Sequence, residues 1–252
     1  MADLAIIAGA QAFTDAPAQY YEAGTFPKDR SMPRFQPSRP IWGASVLIAT
    51  IAATPAAAAT SETQGWLTES LIVRASDADT VTLDSSQRLR RDRSGGDQQT
   101  VRVSMDHRIA TGVLIGGGFA YFRSGPEQEQ RLFQQMTLTK GIWLARTRIE
   151  QRFFDTADRA SWRLRQRVQA SVPLDRAGQW TLVAATELMF HLNRARPSDK
   201  TGLAVMRNQI GLRHPISKLL DAQLLYMRQQ TFRDSRPDAV AHIPWLTLSW
   251  KI

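Results

Sequence analysis

The sequence predicts an all-β protein: an antiparallel up-and-down transmembrane β-barrel of about twelve strands that follows an N-terminal signal segment. Three observations predict it. Apolar and polar residues alternate with period two from Gly65 onward. Short and long connections follow one another between the alternating segments. The last segment carries large apolar residues at every second position. Alternation with period two is typical of a strand with one apolar and one polar face.

The N-terminal part of the chain has the features of an export signal. A short apolar run at residues 41–53 lies between upstream arginines and the small-residue stretch P-A-A-A-A-T. This order describes a secretory signal peptide, and the run is short for a bilayer span. The alternative is a buried or anchoring helix. Since Met32 would open the signal cleanly, we predict a leader or mis-assigned start, a signal peptide and a barrel domain at residues 1–31, 32–59 and 60–252.

Charge and composition restrict the function classes. The chain has 252 residues, a formal net charge of +9 and no cysteine, with a mean hydropathy of −0.30. The charge favours an anionic partner such as nucleic acid, anionic lipid or an acidic solute. The lack of cysteine excludes disulfides and thiolate metal sites. The hydropathy excludes a bundle of apolar helices but allows a barrel. Export argues against nucleic acid, so we predict the bacterial outer membrane.

The strand pattern can be followed segment by segment. Most segments are 11–16 residues long, which is long for a globular strand but suits a tilted membrane strand. A bacterial barrel with both ends on one side needs an even number. The eleven segments therefore miss a strand near residues 60–64, divide one strand wrongly, or include one, residues 65–75, that does not join the wall. We predict twelve strands, with ten as the alternative. The eleven candidate strands are residues 65–75, 79–92, 99–109, 111–123, 129–140, 142–154, 159–174, 179–193, 202–214, 219–232 and 240–252.

The connections indicate which ends of the strands share a rim. Short turns are predicted near R-A-S-D-A-D, R-I-A-T-G, T-K-G, L-D-R-A-G-Q and P-I-S-K. Longer polar loops are predicted near D-R-S-G-G-D-Q-Q, S-G-P-E-Q-E-Q, F-D-T-A-D-R, R-A-R-P-S-D-K and R-D-S-R-P-D. Short turns at one rim and long loops at the other are typical of an up-and-down outer-membrane barrel.

The polar face of the central strands is rich in arginine. In S-W-R-L-R-Q-R-V-Q-A-S-V-P-L at residues 161–174, three arginines lie opposite an almost wholly apolar face. A soluble sheet with one wet face, a nucleic-acid surface and a membrane barrel all fit this segment alone. In a barrel the arginines face the lumen, because a lipid-facing charge costs about 2–4 kcal/mol at the midplane. The predicted lumen residues are Arg146, Arg148, Glu150, Arg152, Arg163, Arg165, Arg167, Glu187, Arg207 and Gln209.

Two functions are compatible with this lumen. The arginines could form ladders with Glu69, Glu150 and Glu187 and fill a narrow, structural barrel. Alternatively, an excess of arginine could line a narrow pore or binding barrel for small anionic solutes. In the pore hypothesis the selectivity candidates are Arg148, Arg163, Arg165 and Arg207.

An outer-membrane lipid hydrolase is a further alternative. It would need a nucleophile and a base near the rim. The four histidines, at positions 107, 191, 214 and 242, do not form a recognisable arrangement with serine. We therefore predict that the protein is not an enzyme and has no cofactor and no metal site. The three glycines Gly116, Gly117 and Gly118 sit within a strand pattern rather than before a helix, so they indicate a kink or room for a bulky neighbour.

The last segment, P-W-L-T-L-S-W-K-I, is typical of an outer-membrane barrel terminus. Large apolar residues alternate with polar ones, which predicts a signal read by the barrel-assembly machinery. The terminal isoleucine departs from the usual phenylalanine, and an ordinary last strand is the alternative. The predicted assembly residues are Leu246, Leu248, Trp250 and Ile252.

A family resemblance rests on the order of several stretches: W-L-T-E at residues 66–69, then E-Q-R-L-F-Q-Q, A-R-T-R-I-E-Q-R-F, R-L-R-Q-R-V, A-T-E-L-M-F-H-L-N, M-R-N-Q-I-G-L and L-L-Y-M-R-Q-Q. Over nearly all of the exported chain, the sequence resembles the DUF2490 family of uncharacterised bacterial outer-membrane barrels. The resemblance implies the fold and the outer membrane as the lipid partner. It implies no chemistry, because the family has no established activity.

Overall fold

The computed structural model describes residues 60–91, 95–125, 127–197, 199–234 and 237–252. The predicted leader and signal peptide lie outside the described residues. All eleven predicted strands are confirmed, and a twelfth precedes them. No helix in the described ranges is long and apolar enough to cross a membrane. The strands are β1 Thr60–Thr63, β2 Gly65–Arg74, β3 Asp79–Leu89, β4 Gln98–Ala110, β5 Val113–Ser124, β6 Glu127–Lys140, β7 Trp143–Phe154, β8 Ser161–Pro173, β9 Thr181–His191, β10 Gly202–Pro215, β11 Leu220–Thr231 and β12 Ala239–Lys251.

The strands form one closed sheet. From β2 to β12 each strand pairs antiparallel with the next along the chain. The barrel closes between β12 and β2, which run parallel, with Trp245 opposite Trp66. The predicted all-β, up-and-down barrel is therefore confirmed. Closure leaves no open sheet edge, so the backbone hydrogen bonds of the wall are satisfied within the protein.

The additional strand, β1, lies end to end with β2 along β12 and does not add a further strand around the circumference of the barrel. Thr60 of β1 lies opposite Ala239 of β12, and Trp66 of β2 lies opposite Trp245, so both strands run along β12 in the same register. The prediction of about twelve strands is confirmed, but β1 and β2 share one of eleven positions around the wall. A parallel closure lets the first and last wall strands run in the same direction, which removes the need for an even number.

The outer face of the barrel is apolar and the inner face is polar. On β8, Trp162 and Val168 are 38% and 52% exposed, whereas Arg163 and Arg165 are 7% and 5% exposed. Thirty large apolar side chains among the described residues are exposed in this way. A water-soluble protein buries such residues and exposes its arginines, so the barrel is inverted relative to a soluble one.

The two rims differ, but less regularly than the sequence predicts. The turns at residues 111–112 and 141–142 are short and those at 155–160 and 192–201 are longer, as expected. The predicted long loop at S-G-P-E-Q-E-Q is wrong, because β6 already begins at Glu127. Its alternating glutamates and glutamines are strand residues with an inner and an outer face. We call the rim at the ends of β3, β5, β7, β9 and β11 the long-connection rim.

The turn between β8 and β9 is held by one aspartate. The carboxylate of Asp175 accepts hydrogen bonds from the backbone N–H groups of Trp180 and Gln179, at 2.7 and 2.9 Å. These donors stabilise the ionised form and hold the pKa of Asp175 below its usual value. The turn spans residues 174–180 and is longer than the short turn predicted there.

The glycine run of β5 allows close approach of two neighbouring strands. The strand continues through all three glycines, as predicted. A Cβ atom on Gly118 would lie 2.2 Å from the carbonyl oxygen of Val103 and 2.8 Å from Cζ of Phe133. Room for the Phe133 ring inside the barrel is therefore one reason for glycine at this position.

We expect Gly118→Ala to lower the free energy of unfolding by about 1–3 kcal/mol, because the added methyl group overpacks the wall. Urea titration of the refolded chain measures this. Gly65→Ala is the matched control, since a Cβ atom there meets only the Leu89 side chain at 3.8 Å or more. Equal effects of the two substitutions would contradict the packing role of Gly118.

Candidate functional site

One side of the lumen is filled by apolar side chains. The rings of Trp66 and Trp245 meet edge to face, with centroids 5.5 Å apart. Met227 and Ile243 are fully buried beside them. The strands β2, β9, β11 and β12 turn these residues inward. The cluster consists of Trp66, Val183, Leu225, Met227, Ala241, Ile243 and Trp245.

The other side of the lumen holds an ionic network centred on two carboxylates. Glu150 accepts hydrogen bonds from Arg163 at 2.7 Å and from Arg165 at 2.8 Å. Arg165 also donates to Glu187 at 2.7 Å, so it bridges the two carboxylates. Both glutamates are 1% exposed. Arg165 contacts Glu187 through both Nε and Nη2, at 3.2 and 2.7 Å, which uses the planar fork of the guanidinium group.

Strand register explains why the network forms. Glu150 of β7 lies directly opposite Arg163 of β8, and Arg167 of β8 lies opposite Glu187 of β9. Arg148 lies opposite Arg165, a pair of like charges that is unfavourable on its own. Glu150 on β7 and Glu187 on β9 offset that repulsion.

Two further clusters extend the network around the wall. Arg131 donates to both oxygens of Glu129, at 2.5 and 2.7 Å, and Arg152 donates to the same carboxylate at 2.6 Å. On the far side, Arg102 donates to Asp84 at 2.5 Å. The sequence analysis missed these residues except Arg152. The E-x-R spacing at 129–131 was the available signal, because it places both charges on one face of a strand.

Aromatic rings hold several of the guanidinium groups in place. Arg131 lies 3.5 Å from the ring centroid of Phe122, and Arg148 lies 4.2 Å from that of Phe133. Arg148 also donates two hydrogen bonds to Gln135. Cation–π contacts add attraction and restrict the orientation of the fork. The arginines are therefore positioned as well as buried.

A small cavity lies where these groups converge. Its volume is about 60 Å³, enough for a few water molecules. It lies towards the long-connection rim, since Thr100 and Arg163 are each the third residue of a strand that begins there. Seven arginines and one glutamate are among its lining residues, which are Arg88, Thr100, Arg102, Ala120, Phe122, Arg131, Phe133, Arg148, Glu150, Arg163, Arg165, Met189 and Arg207.

Comparison with known proteins places this barrel in a family. The family model described as a protein of unknown function, DUF2490, matches residues 63–240. The chain belongs to the DUF2490 family. An uncharacterised protein of Methylorubrum extorquens strain AM1 is similar to it, with 26% identity over 163 residues, 60% of this chain and 72% of that protein. The resemblance expected from the sequence is confirmed, and neither comparison supplies an activity.

The DUF2490 barrel brings half of the predicted lumen residues to the cavity. Arg148, Glu150, Arg163, Arg165 and Arg207 line it. The other five also face inward but lie outside the lining. Arg146 donates to Glu187 at 3.3 Å. Arg152 donates to a glutamate, Arg167 to a glutamine and Gln209 to a methionine sulfur.

The prediction that Glu69 faces the lumen of the DUF2490 barrel is wrong. Glu69 lies on the outer face of β2 between Leu67 and Leu71, and its partner on β12 is the outward Leu248. The inner face of β2 carries Trp66 and Thr68 instead. Glu69 therefore does not share the lumen with the arginines.

The histidines of the DUF2490 barrel are spread over four strands. His107 bonds to Asp79 at 2.8 Å, His242 bonds to the Tyr226 hydroxyl at 2.6 Å, and His214 stacks on Trp180. His191 lies 3.5 Å from Arg152. Within the described ranges, no group of three or more potential ligands could hold a metal ion. The absence of enzymatic activity stays a prediction.

The terminal residues of this DUF2490 chain follow the alternation predicted for them. Leu246 and Trp250 are exposed on the outer face, whereas Thr247 and Ser249 are buried on the inner face. Leu248 faces outward with the first two, and Ile252 follows the strand and is exposed. A role of Leu246, Leu248, Trp250 and Ile252 in assembly stays a prediction.

Proposed function

We propose that this DUF2490 chain is an outer-membrane barrel that is closed to ion flow and binds a small anion in its lumen. The observation that carries the proposal is a cavity with seven arginines inside a lumen whose central side chains are buried. Within the hypothesis of a pore or binding barrel for small anionic solutes, binding is therefore preferred to conduction.

Membrane insertion is supported by the outer face. Thirty large exposed apolar residues in the described part of the chain far exceed the patches that a soluble monomer tolerates. Trp143, Trp180 and Trp250 are exposed at the rim opposite the long connections. Aromatic residues at this position are typical of an interfacial girdle. Together with the export signal predicted from the sequence, these features support a position in the outer membrane, with lipid around the barrel.

Closure of the lumen is supported by the burial of its central side chains. Glu150, Glu187 and Met227 project into the lumen and are at most 1% exposed. A water-filled channel that passed these side chains would expose them to solvent. A barrel of eleven wall positions is also narrow enough for side chains to occupy most of its interior.

The refolded chain should give no steady current in a planar lipid bilayer, because the ionic network and the tryptophan cluster block the lumen. A shift in gel mobility on heating checks that the chain is folded, and a reference porin checks the bilayer. Discrete anion-selective steps that decrease in an Arg163→Gln/Arg165→Gln variant would overturn the closed-barrel proposal in favour of a pore.

A purely structural barrel is the second candidate. It is favoured by the extent of pairing within the network, since Glu187 alone contacts Arg146, Arg165 and Arg207. Such a barrel would bind no anion saturably, and the binding experiment below separates it from the leading proposal.

A further inference from the structure

We propose that the cavity binds a phosphate-type tetrahedral oxyanion, held by guanidinium groups and by the hydroxyl of Thr100. This inference rests on the proposed function, because it names the class of anion that the lumen binds. Eight consecutive strands, β3 to β10, each turn at least one side chain to the cavity. Convergence of this kind surrounds a ligand from most directions.

The charge balance favours a multivalent anion. Seven arginines line the cavity, and hydrogen bonds place four carboxylates beside them: Asp84, Glu129, Glu150 and Glu187. The seven lining arginines therefore outnumber these carboxylates by three, and Arg146 and Arg152 share two of the same carboxylates. Buried charge is costly unless it is compensated. A phosphate group carries more negative charge than chloride or a carboxylate and compensates the excess better.

Thr100 supplies a second and independent observation. Its side chain lines the cavity, the residue is 4% exposed, and Oγ1 has no hydrogen-bond partner within the described structure. Buried hydroxyl groups normally make a hydrogen bond. An oxyanion in the cavity would accept one from Thr100, two residues before Arg102 on the same inner face of β4.

The donor chemistry and the size of the cavity point to the same class. Guanidinium forks pair in bidentate fashion with phosphate oxygens, and the rings of Phe122 and Phe133 already orient Arg131 and Arg148. A volume of about 60 Å³ suits one small oxyanion group and not a chain molecule. The position near the long-connection rim gives the shorter route of entry.

Isothermal titration of the full chain, refolded in zwitterionic detergent at constant ionic strength, tests this. We expect saturable 1:1 binding of inorganic phosphate, similar binding of sulfate, and binding of acetate and chloride weaker by about tenfold or more. Arg148→Gln and Thr100→Val should each weaken phosphate binding by about tenfold, the usual effect of losing a hydrogen bond to a charged group.

Matched controls separate the site from general effects on the fold. Arg213→Gln removes an inward arginine of β10 that lies near the opposite rim and bonds to Thr181 outside the cavity lining, and it should leave phosphate affinity unchanged. Thr137→Val removes another buried hydroxyl without a hydrogen-bond partner, on β6 and away from the lining, and should also have no effect. Equal losses in the control variants would refute the cavity as the site.

The remaining outcomes distinguish this inference from the proposed function. Equal binding of phosphate, acetate and chloride would overturn the oxyanion class but keep an anion-binding lumen. No saturable binding of any soluble anion by the folded chain, together with no capture of vesicles that contain phosphatidic acid, would refute both the site and the anion part of the proposed function. Binding of phosphate or glycerol phosphate in detergent would indicate a soluble ligand. If the chain binds no soluble phosphate but captures phosphatidylcholine vesicles when, and only when, they contain phosphatidic acid, the ligand is a lipid phosphate. The chemistry at the site is then the same.

Discussion

Replacing Glu150 with glutamine is expected to lower the free energy of unfolding by about 3–5 kcal/mol. The substitution keeps the volume of the side chain but removes the charge that Arg163 and Arg165 share. Two guanidinium groups would then remain buried next to a neutral amide. Removing one partner of a buried ion pair costs more than the pair itself contributes, because the other charge stays desolvated. Urea titration of the refolded chain, followed by tryptophan fluorescence, measures the change.

Glu127→Gln is the matched control for this experiment. Glu127 also pairs with an arginine, Arg196, but the two side chains are 38% and 30% exposed at the long-connection rim. A pair of this kind contributes at most about 1 kcal/mol. The double variant Glu150→Gln/Arg163→Gln should regain part of the loss, because it removes one uncompensated charge. A loss for Glu150→Gln as small as that for Glu127→Gln would show that the network contributes little to stability.

Phosphate should restore part of the stability of the Glu150→Gln variant. The substitution adds one positive charge to the excess around the cavity, and a ligand that binds only the folded state stabilises it by mass action. The same phosphate concentration should stabilise the unaltered chain less. An equal or smaller effect on the variant would indicate that phosphate binds away from Glu150.

The sequence predicted the strands well because period-two alternation reports directly on a wall with two unlike faces. Eleven segments were found within a few residues of their bounds. Register across the closure could not be predicted, because alternation within one strand carries no information about its partner. The parallel contact of Trp66 with Trp245 follows from the tertiary arrangement.

The misplacement of Glu69 shows where alternation becomes ambiguous. In W-L-T-E both Trp66 and Leu67 are apolar, so the sequence does not decide which of the two alternating sets of β2 residues faces the lumen. The indole ring turns inward because Arg88 lies 4.0 Å from its centroid and Arg207 lies 5.2 Å from it. Those contacts come from β3 and β10, which the local sequence does not specify.

The cavity was only partly visible in the sequence for the same reason. The clear alternation of β7 and β8 exposed Arg148, Glu150, Arg163 and Arg165 as one polar face. Arg102 and the other contributions of β3 to β6 lie among less regular neighbours, such as the serines of β3 and the glycines of β5. Their convergence depends on barrel closure, which brings strands far apart in the chain to one point.

Replacing Ile210 with arginine is expected to lower the free energy of unfolding in lipid vesicles by about 2–4 kcal/mol. Ile210 lies near the middle of β10 on the outer face, is 52% exposed, and has Ala184 and Tyr226 as its neighbours across the strands. In the proposed orientation its side chain meets the hydrocarbon core, where a guanidinium group loses its hydration. Urea titration of the chain refolded in phosphatidylcholine vesicles measures the cost.

Leu219→Arg is the control, and the contrast between the two variants decides the environment of the outer face. Leu219 is 58% exposed but lies in the turn after β10, at the rim, where a charge can reach water. Its replacement should change stability by no more than about 1 kcal/mol, as for a residue near the interface. If the outer face met water instead of lipid, Ile210→Arg would also fall within about 0.5 kcal/mol of the unaltered chain, as exposed surface substitutions do. Such a result would contradict membrane insertion and leave thirty exposed apolar residues to be covered by protein.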